Sequence, residues 1–237
     1  MNLLLLRPEQ FQSESRVVLT PLQRAHVTNI LKSELGDKLR VGLLNGDMGT
    51  AQLTSLDEKA TVDILQLSTP PPPPLPLTLI LALPRPQMIK RILQTVACMG
   101  VEKLCLIQTS KVEKSFWQSP SITDDAIREH LILGLEQGVA TQLPLVEKFQ
   151  RFRPFVEDIL PTFPSENHKL IAHPGPYTPC PRLSSSDRAI LTIGPEGGFT
   201  EKEVTYFIKE GFTPIQIGAR ILKVETAVTA LLAKIYH

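Results

Sequence analysis

Five consecutive prolines, Pro70–Pro74, constrain the fold of this chain more than any other feature of its sequence. Proline lacks a backbone N–H and has a fixed φ, so such a run fits neither the interior of a helix nor a central strand. It favours an extended polyproline II rod. We expect a stiff spacer between two domains, residues 1–69 and residues 75–237. A ligand segment for an SH3-type domain is the alternative.

Composition excludes several classes of protein. Of 237 residues, 42% are hydrophobic and 21% charged, which is ordinary for a globular protein and argues against wholesale disorder. The formal net charge is +1 without a basic tail, so any nucleic-acid binding depends on a local patch. No apolar run approaches a membrane span, and Leu3–Leu6 is too short for a secretion signal. The three cysteines lack CxxC spacing, which fits a reducing cytoplasm and indicates neither a disulfide framework nor a metal site.

Before the prolines, the sequence predicts a small β-barrel around one helix. Thr20 is a suitable N-cap for a helix that begins at Pro21. Asn45-Gly46 is typical of a hairpin turn between two strands. The predicted strands are 15–19, 38–44, 49–56 and 59–67, and the predicted apolar face of the helix consists of Leu22, Val27, Ile30 and Leu31.

After the prolines, strands and helices alternate, which predicts an α/β domain with a largely parallel sheet. Thr123 can cap one helix, and Thr200 with Glu203 forms a capping-box pair that opens another. The predicted strands are 77–83, 103–107, 169–172, 189–193 and 215–217, and the predicted helices are 87–99, one opened by Thr123, 200–210 and 225–236.

Three loops follow directly after predicted strands: 173–175, 194–198 and 218–223. In open α/β sheets, ligands bind beyond the carboxyl ends of the strands, so these loops can converge on one pocket. The three glycines of 194–198 permit close backbone approach to a ligand. A tight strand-to-helix turn is the alternative. Neither a GxxxxGK[ST] loop nor a GxGxxG loop after the first strand is present, which disfavours P-loop and ordinary dinucleotide sites.

Other polar residues carry weaker signals. Arg220, Lys223 and Glu225 crowd beside a helix start, where they can hold an anion or form a salt-bridging surface turn. His173 alone is typical of a hydrogen-bonded loop histidine. Ser184–Ser186 lies outside a GxSxG context, so the sequence does not indicate a serine hydrolase.

Two motifs near the C-terminus carry a family resemblance. Ile193–Thr200 reads IGPEGGFT and Ile217–Ala227 reads IGARILKVETA. Together they resemble the signature of RsmE-type ribosomal RNA methyltransferases of the SPOUT superfamily. His26–Lys32 with the following Gly36-Asp37, and Leu135–Gly138, are similar to further segments of that family.

The resemblance implies a PUA-like RNA-binding barrel followed by an α/β domain with a deep trefoil knot. It implies a homodimer that transfers a methyl group from S-adenosylmethionine to N3 of a uridine in 16S ribosomal RNA of the small ribosomal subunit. The final helix gives a separate reason to expect a dimer, because its apolar residues cover more than one stripe. These residues are Val228, Leu231, Leu232 and Ile235. Burial against the predicted helix 203–210 within one chain is the alternative. No membrane partner is expected.

The resemblance and the reaction that it implies point to site residues. Arg220 is the candidate group to stabilise the uracil anion, with Lys223 as helper. Glu196 and Glu225 are the candidate bases, and for either one a role in capping a turn or orienting Arg220 is the alternative. The cofactor contacts are expected from Ala172, His173, Gly194, Pro195, Glu196, Gly197, Gly198, Ile217, Gly218, Ile221, Leu222 and Thr226. Candidate RNA contacts are Arg7, Arg16, Lys32, Arg40, Lys111, Lys114 and Lys223; for each of these, a solvated surface charge is the alternative.

The sequence also departs from the family pattern. Ala219 stands where proline is common, Cys98 where glutamate is usual, and Lys223, Ala140 and Gln142 where arginine is usual. A lysine lacks the planar fork with which arginine holds phosphate. Two alternatives follow: a methyltransferase with another RNA target, or a non-catalytic RNA-binding dimer. The preserved glycine loop and Arg220–Thr226 argue against the second.

Overall fold

A computed structural model describes residues 2–164 and 168–236. The chain divides into two compact units. The first comprises the chain up to Pro73 together with Leu131–Leu143, and the second comprises Pro74–His130 and the chain from Pro144 onward. The boundary near residue 73 falls inside the proline run. The sequence did not predict that Leu131–Leu143 belongs to the first unit, because helical periodicity does not indicate which unit a helix packs against.

The first unit is built on an open, mixed five-stranded sheet. Its strand order is β1-β3-β4-β5-β2, with β1 and β3 parallel and the other pairs antiparallel. The predicted Asn45-Gly46 hairpin is confirmed, and Asn45 has a φ of 61°. The predicted barrel is a half-barrel, because the short strands β1 and β2 lie at opposite edges. The strands are β1 Leu4–Leu6, β2 Arg16–Val18, β3 Lys38–Leu43, β4 Met48–Ser55 and β5 Thr61–Thr69.

Helix α1, Pro21–His26, begins as predicted: Thr20 Oγ1 accepts a hydrogen bond from the backbone N–H of Gln23. A π-helical turn, Val27–Leu31, continues it. The predicted apolar face is wrong, since Val27 is buried whereas the other three members are exposed, Leu22 by 60% and Ile30 by 67%. The buried side of this segment is partly polar: the Gln23 side chain is buried and donates to the carbonyl of Leu5.

A buried carboxyl group, Glu136, anchors the first strand of this unit. Its Oε1 accepts from the N–H of Leu5, and its backbone carbonyl accepts from the N–H groups of Asn2 and Leu3. Burial raises the pKa of Glu136 to about 7, while hydrogen bonds from Leu5 and Gln23 and the charge of Arg7 oppose that rise. The acid is therefore protonated in the folded state over part of the pH range where the unfolded chain would ionise it.

We expect the Glu136→Gln variant to show a flatter dependence of stability on pH than the wild type. The folded-state pKa lies above the ordinary value of 4.5, so wild-type stability is greatest below that value and is lost as pH rises through about 7. The loss amounts to about 3 kcal/mol between pH 4.5 and pH 8. Urea unfolding of both proteins at pH 5 and pH 8, followed by circular dichroism, measures it. Parallel pH dependences of the two proteins would contradict the prediction.

The second unit contains a seven-stranded sheet in the order β10-β12-β9-β11-β6-β7-β8, and every pairing described in it is parallel. The predicted α/β class is therefore confirmed. All residues of the central strand β11 are buried, as expected where helices cover both faces of a parallel sheet. The strands are β6 Leu75–Ala82, β7 Val101–Ile107, β8 Leu145–Phe149, β9 His168–Ala172, β10 Thr178–Pro179, β11 Ala189–Ile193 and β12 Thr213–Gln216.

Helices follow most of these strands. The predicted caps are confirmed at both sites: Thr123 Oγ1 accepts from Ala126 N, and Thr200 Oγ1 accepts from Glu203 N. The helices are α2 Pro86–Cys98, α3 Asp124–Gly138, α4 Phe152–Pro154, α5 Glu201–Lys209 and α6 Val224–Tyr236. In the part of the chain that the structure describes, no helix is long and apolar enough to cross a membrane.

Helix α6 corrects one argument from the sequence. Val228, Leu231, Leu232 and Ile235 are at most 1% exposed within this single chain. The helix packs against both α2 and β11, so its wide apolar surface is covered from two directions without a second copy. This helix therefore gives no evidence for a dimer, which rests on the family resemblance alone. The trefoil knot also stays a prediction.

Candidate active site

A cavity of about 480 Å³ lies beyond the carboxyl ends of three adjacent strands, β12, β9 and β11. The three loops that the sequence predicted to converge surround it. Their strands are parallel neighbours, so Ala172 and Ile193 end at the same edge of the sheet. The N–H of His173 donates to Ile215 O at 3.1 Å and continues the pairing into the loop. The cavity is lined by 172–175, 193–199, 215–222, Val224, Ala227 and Leu231.

The glycine turn, residues 194–198, owes its shape to two of its glycines. Gly198 has a φ of 67°, where glycine is favoured, and its N–H donates to Pro195 O at 2.8 Å. A Cβ added to Gly194 would lie 3.1 Å from the backbone nitrogen of Phe199 and 3.3 Å from the carbonyl carbon of Gly198. The turn is thus folded tightly onto the segment that leads into α5.

Gly197 has a different explanation from the one the sequence suggested. A Cβ there would lie 2.9 Å from Cδ and 3.4 Å from Cβ of Lys111. The backbone of Gly197 is approached by a side chain of the same protein. Close approach to a ligand is therefore unnecessary to explain this glycine.

The candidate catalytic residues separate into two groups. Arg220 and Glu196 are exposed and line the cavity. Glu196 Oε1 accepts a hydrogen bond of 3.0 Å from the backbone N–H of Arg85, the residue before α2. Glu225, in the first turn of α6, is half-buried and is not among the cavity-lining residues that the structure describes.

All but one of the residues expected to contact a cofactor line the cavity. The exception is Thr226, which is exposed on α6. The same helix turns Val224, Ala227 and Leu231 toward the cavity. Their spacing of i, i+3 and i+7 marks one helical face, a signal that the sequence contained and that the residue-by-residue resemblance missed.

The candidate RNA-binding cations differ in their surroundings. Arg16 forms two hydrogen bonds of 2.8 Å with the carboxylate of Asp63, and Lys111 Nζ donates to Gly197 O at 2.6 Å. Arg7 is half-buried and its charge acts on Glu136. The remaining four are exposed, and within residues 2–164 and 168–236 their side chains form no hydrogen bond or ion pair: Lys32, Arg40, Lys114 and Lys223.

Known proteins share this architecture along almost the whole chain. A ribosomal RNA small subunit methyltransferase E from Treponema pallidum is 29% identical, with 98% of this chain and 90% of that protein covered. A ribosomal RNA small subunit methyltransferase E 1 from Borreliella burgdorferi is 26% identical, with 97% and 95% covered. The crystal structure of a ribosomal RNA small subunit methyltransferase E from Neisseria gonorrhoeae, bound to S-adenosyl methionine, superposes with a TM-score of 0.75 at 25% identity, covering 98% and 95%.

The family model described as an RNA methyltransferase domain matches residues 71–236, which include the whole parallel sheet and every residue around the cavity. That match confirms the family predicted from IGPEGGFT and IGARILKVETA. The chain belongs to the RNA methyltransferase domain family.

Proposed function

We propose that this protein is an S-adenosylmethionine-dependent methyltransferase that modifies N3 of a uridine in 16S ribosomal RNA of the small ribosomal subunit. The observation that carries the proposal is the convergence of the three family-type loops on one cavity. The names of the relatives, and the S-adenosyl methionine bound to the Neisseria protein, support the substrate and cofactor. Action on ribosomal RNA also implies a cytoplasmic location.

The cavity has the size and lining that this cofactor requires. Its volume of about 480 Å³ lies in the range of roughly 300–1,000 Å³ typical of small-molecule sites. Ile193, Val224 and Leu231 offer apolar walls, and the three loops offer backbone N–H and C=O groups for the adenine and ribose. A Cβ on Gly218, which has a φ of 147°, would meet nothing within 4 Å, so the backbone there is open to a ligand.

The bound cofactor supplies an electrophilic methyl group on a sulfonium, and the protein must prepare the uracil. Uracil N3 carries a proton, and its loss leaves a negative charge shared with the two carbonyl oxygens. The guanidinium of Arg220, at the cavity, can donate hydrogen bonds to that charge. Glu196 is the better placed of the two candidate bases, because it lines the cavity and its Oε1 is held by Arg85 N.

The RNA backbone needs cations that are not committed to partners within the protein. Lys32 and Arg40 in the first unit, and Lys114 and Lys223 in the second, meet that condition. Each unit therefore supplies cations for phosphate contacts, and none of the described residues of the first unit lines the cavity. We assign it to RNA binding.

The Arg40→Ala variant should bind small ribosomal subunits more weakly and with a less steep dependence on salt. Loss of one phosphate contact lowers the slope of log affinity against log salt concentration by about 1. Arg16→Ala is the matched control in the same sheet, since Arg16 is already paired with Asp63. Filter binding at several salt concentrations measures both slopes. Equal slopes for Arg40→Ala and the wild type would remove Arg40 from the RNA interface.

The proposed homodimer follows the family resemblance and is tested by light scattering of the full chain. A mass of twice 26.3 kDa supports it, and a mass of 26.3 kDa at micromolar concentration ends it.

Nucleoside mass spectrometry of ribosomal RNA from a deletion strain tests the reaction. Loss of 3-methyluridine, restored by the gene in trans, is the expected result; loss of another modified nucleoside would establish a different target. Thermal unfolding with the cofactor distinguishes an enzyme from a non-catalytic RNA-binding protein. Cofactor at 100 times its dissociation constant stabilises the folded enzyme by about 2.7 kcal/mol, and a binding module without a cofactor site shows no shift.

A further inference from the structure

The loop that follows β7, residues 109–112, is joined to the glycine turn and to the start of α5 by two short hydrogen bonds. Lys111 Nζ donates to Gly197 O at 2.6 Å. One residue earlier, Ser110 N donates to Glu203 Oε1, also at 2.6 Å. These contacts link positions that lie 86 and 93 residues apart in sequence. We call this pair of contacts the clasp.

On the Glu203 side of the clasp, the carboxylate is buried and both of its oxygens accept hydrogen bonds. Glu203 is 3% exposed, and its Oε2 accepts from the backbone N–H and the hydroxyl of Thr200 at 2.8 and 3.0 Å. Its other oxygen holds Ser110. One carboxylate therefore caps α5 and fixes the loop after β7, which leaves Lys111 at a defined place beside the turn.

The Lys111 side of the clasp is exposed and acts on the turn itself. Beyond the hydrogen bond, its aliphatic stem lies across Gly197, with a Cβ on that glycine 2.9 Å from Lys111 Cδ. Gly197 and its neighbours line the cavity, whereas Lys111 does not. The lysine can thus influence a ligand in the cavity through the glycine turn.

We propose that Lys111 is a positioning residue, which holds the glycine turn in the conformation that binds the cofactor. The proposal rests on the proposed function, and it gives Lys111 a role different from the RNA contact suggested by sequence. Loss of the ammonium frees the carbonyl of Gly197 and lets the turn sample other conformations. Removal of the Lys111 ammonium should therefore lower the affinity for the cofactor and leave kcat unchanged, because Lys111 takes no part in the chemistry on uracil.

We expect Lys111→Met to weaken S-adenosylmethionine binding about tenfold, the effect of one charge-assisted hydrogen bond at a partly exposed site. The KM for the cofactor should rise by a similar factor, with kcat and the affinity for small ribosomal subunits unchanged. Lys111→Arg should restore most of the loss, since it keeps a cation. Lys202→Met is the matched control, because Lys202 is an exposed lysine in the first turn of α5 without a side-chain partner in the described residues. Isothermal titration and steady-state kinetics on the full chain supply these values.

A second pair of variants tests the coupling of the two residues. Gly197→Ala alone should weaken cofactor binding, because the new Cβ meets the Lys111 stem. In a Lys111→Ala background, Gly197→Ala should weaken cofactor binding only slightly further. The effects of the two substitutions on the binding free energy should therefore not add. Full additivity would contradict the clasp.

Failure of this inference differs visibly from failure of the proposed function. Hydrogen exchange of the Gly198 amide, which donates to Pro195 O, reports on the turn without any cofactor and should quicken in Lys111→Met. Unchanged exchange and unchanged cofactor affinity would overturn the positioning role. Lower affinity for ribosomal subunits with normal cofactor binding would return Lys111 to the RNA interface. A wild type that binds no cofactor would instead contradict the proposed function.

Discussion

Replacement of Gly194 by valine should abolish measurable S-adenosylmethionine binding while the chain stays folded. Gly194 is buried, and a Cβ there would press on the backbone at Gly198 and Phe199, at 3.3 and 3.1 Å. Backbone atoms at the entrance to α5 cannot rotate aside as a side chain can, so the whole turn must move. A loss of at least about 100-fold in affinity, equivalent to about 3 kcal/mol, is expected from isothermal titration.

Gly197→Val is the internal control for this result. It introduces the same side chain three residues away, yet the three atoms nearest to its Cβ all belong to the flexible stem of Lys111. We therefore expect a smaller loss than for Gly194→Val. Circular dichroism and the melting temperature of each variant establish that both are folded. Equal affinities of Gly194→Val and the wild type would show that the glycine turn does not form the cofactor site.

Removal of the Arg220 side chain should lower kcat by about 10²–10³-fold, the usual effect of deleting a donor that stabilises developing negative charge. Its side chain is exposed at the cavity and forms no hydrogen bond or ion pair with the described residues, so its loss should leave the fold intact. Single-turnover methylation of small ribosomal subunits by Arg220→Ala measures the chemical step. Cofactor affinity serves as the control and should change little.

Two further variants separate catalysis from RNA binding. Arg220→Lys keeps a cation without the planar fork and should recover part of the rate. Lys223→Ala should raise the KM for the ribosomal subunit with little change in kcat. A normal kcat in Arg220→Ala would remove this residue from the reaction and leave Glu196 as the remaining candidate at the cavity.

Features set by a few neighbouring residues were predictable from sequence. The helix starts at Thr20 and Thr200 follow from capping chemistry within four residues, and the Asn45-Gly46 hairpin follows from one dipeptide. The convergence of the three loops was also predictable, since the carboxyl ends of adjacent parallel strands share one edge of a sheet. The two short motifs, IGPEGGFT and IGARILKVETA, then indicated the family that the family model confirms.

The short strands and the orientation of α1 depend on tertiary packing, which local sequence rules do not describe. The sequence prediction missed β1, β8 and β10. Strands β1 and β10 have only three and two residues, and β8 lies at the sheet edge without a strong apolar pattern. The sequence prediction placed Leu22 and Ile30 on the buried face of α1, whereas both are exposed in the structure. A short helix can present only one side to its sheet.

The parallel sheet, the helix caps and the family were predictable from the amino-acid sequence, because each depends on local chemistry or on a contiguous motif. Long-range packing brings Lys111 onto Gly197, joins Glu203 to Ser110, and buries Glu136 where it accepts a hydrogen bond from Leu5 N. Each of these contacts joins residues about 86 to 131 positions apart. No periodicity or local propensity records which distant side chain will fill a given space, since that choice is made by packing when the chain folds.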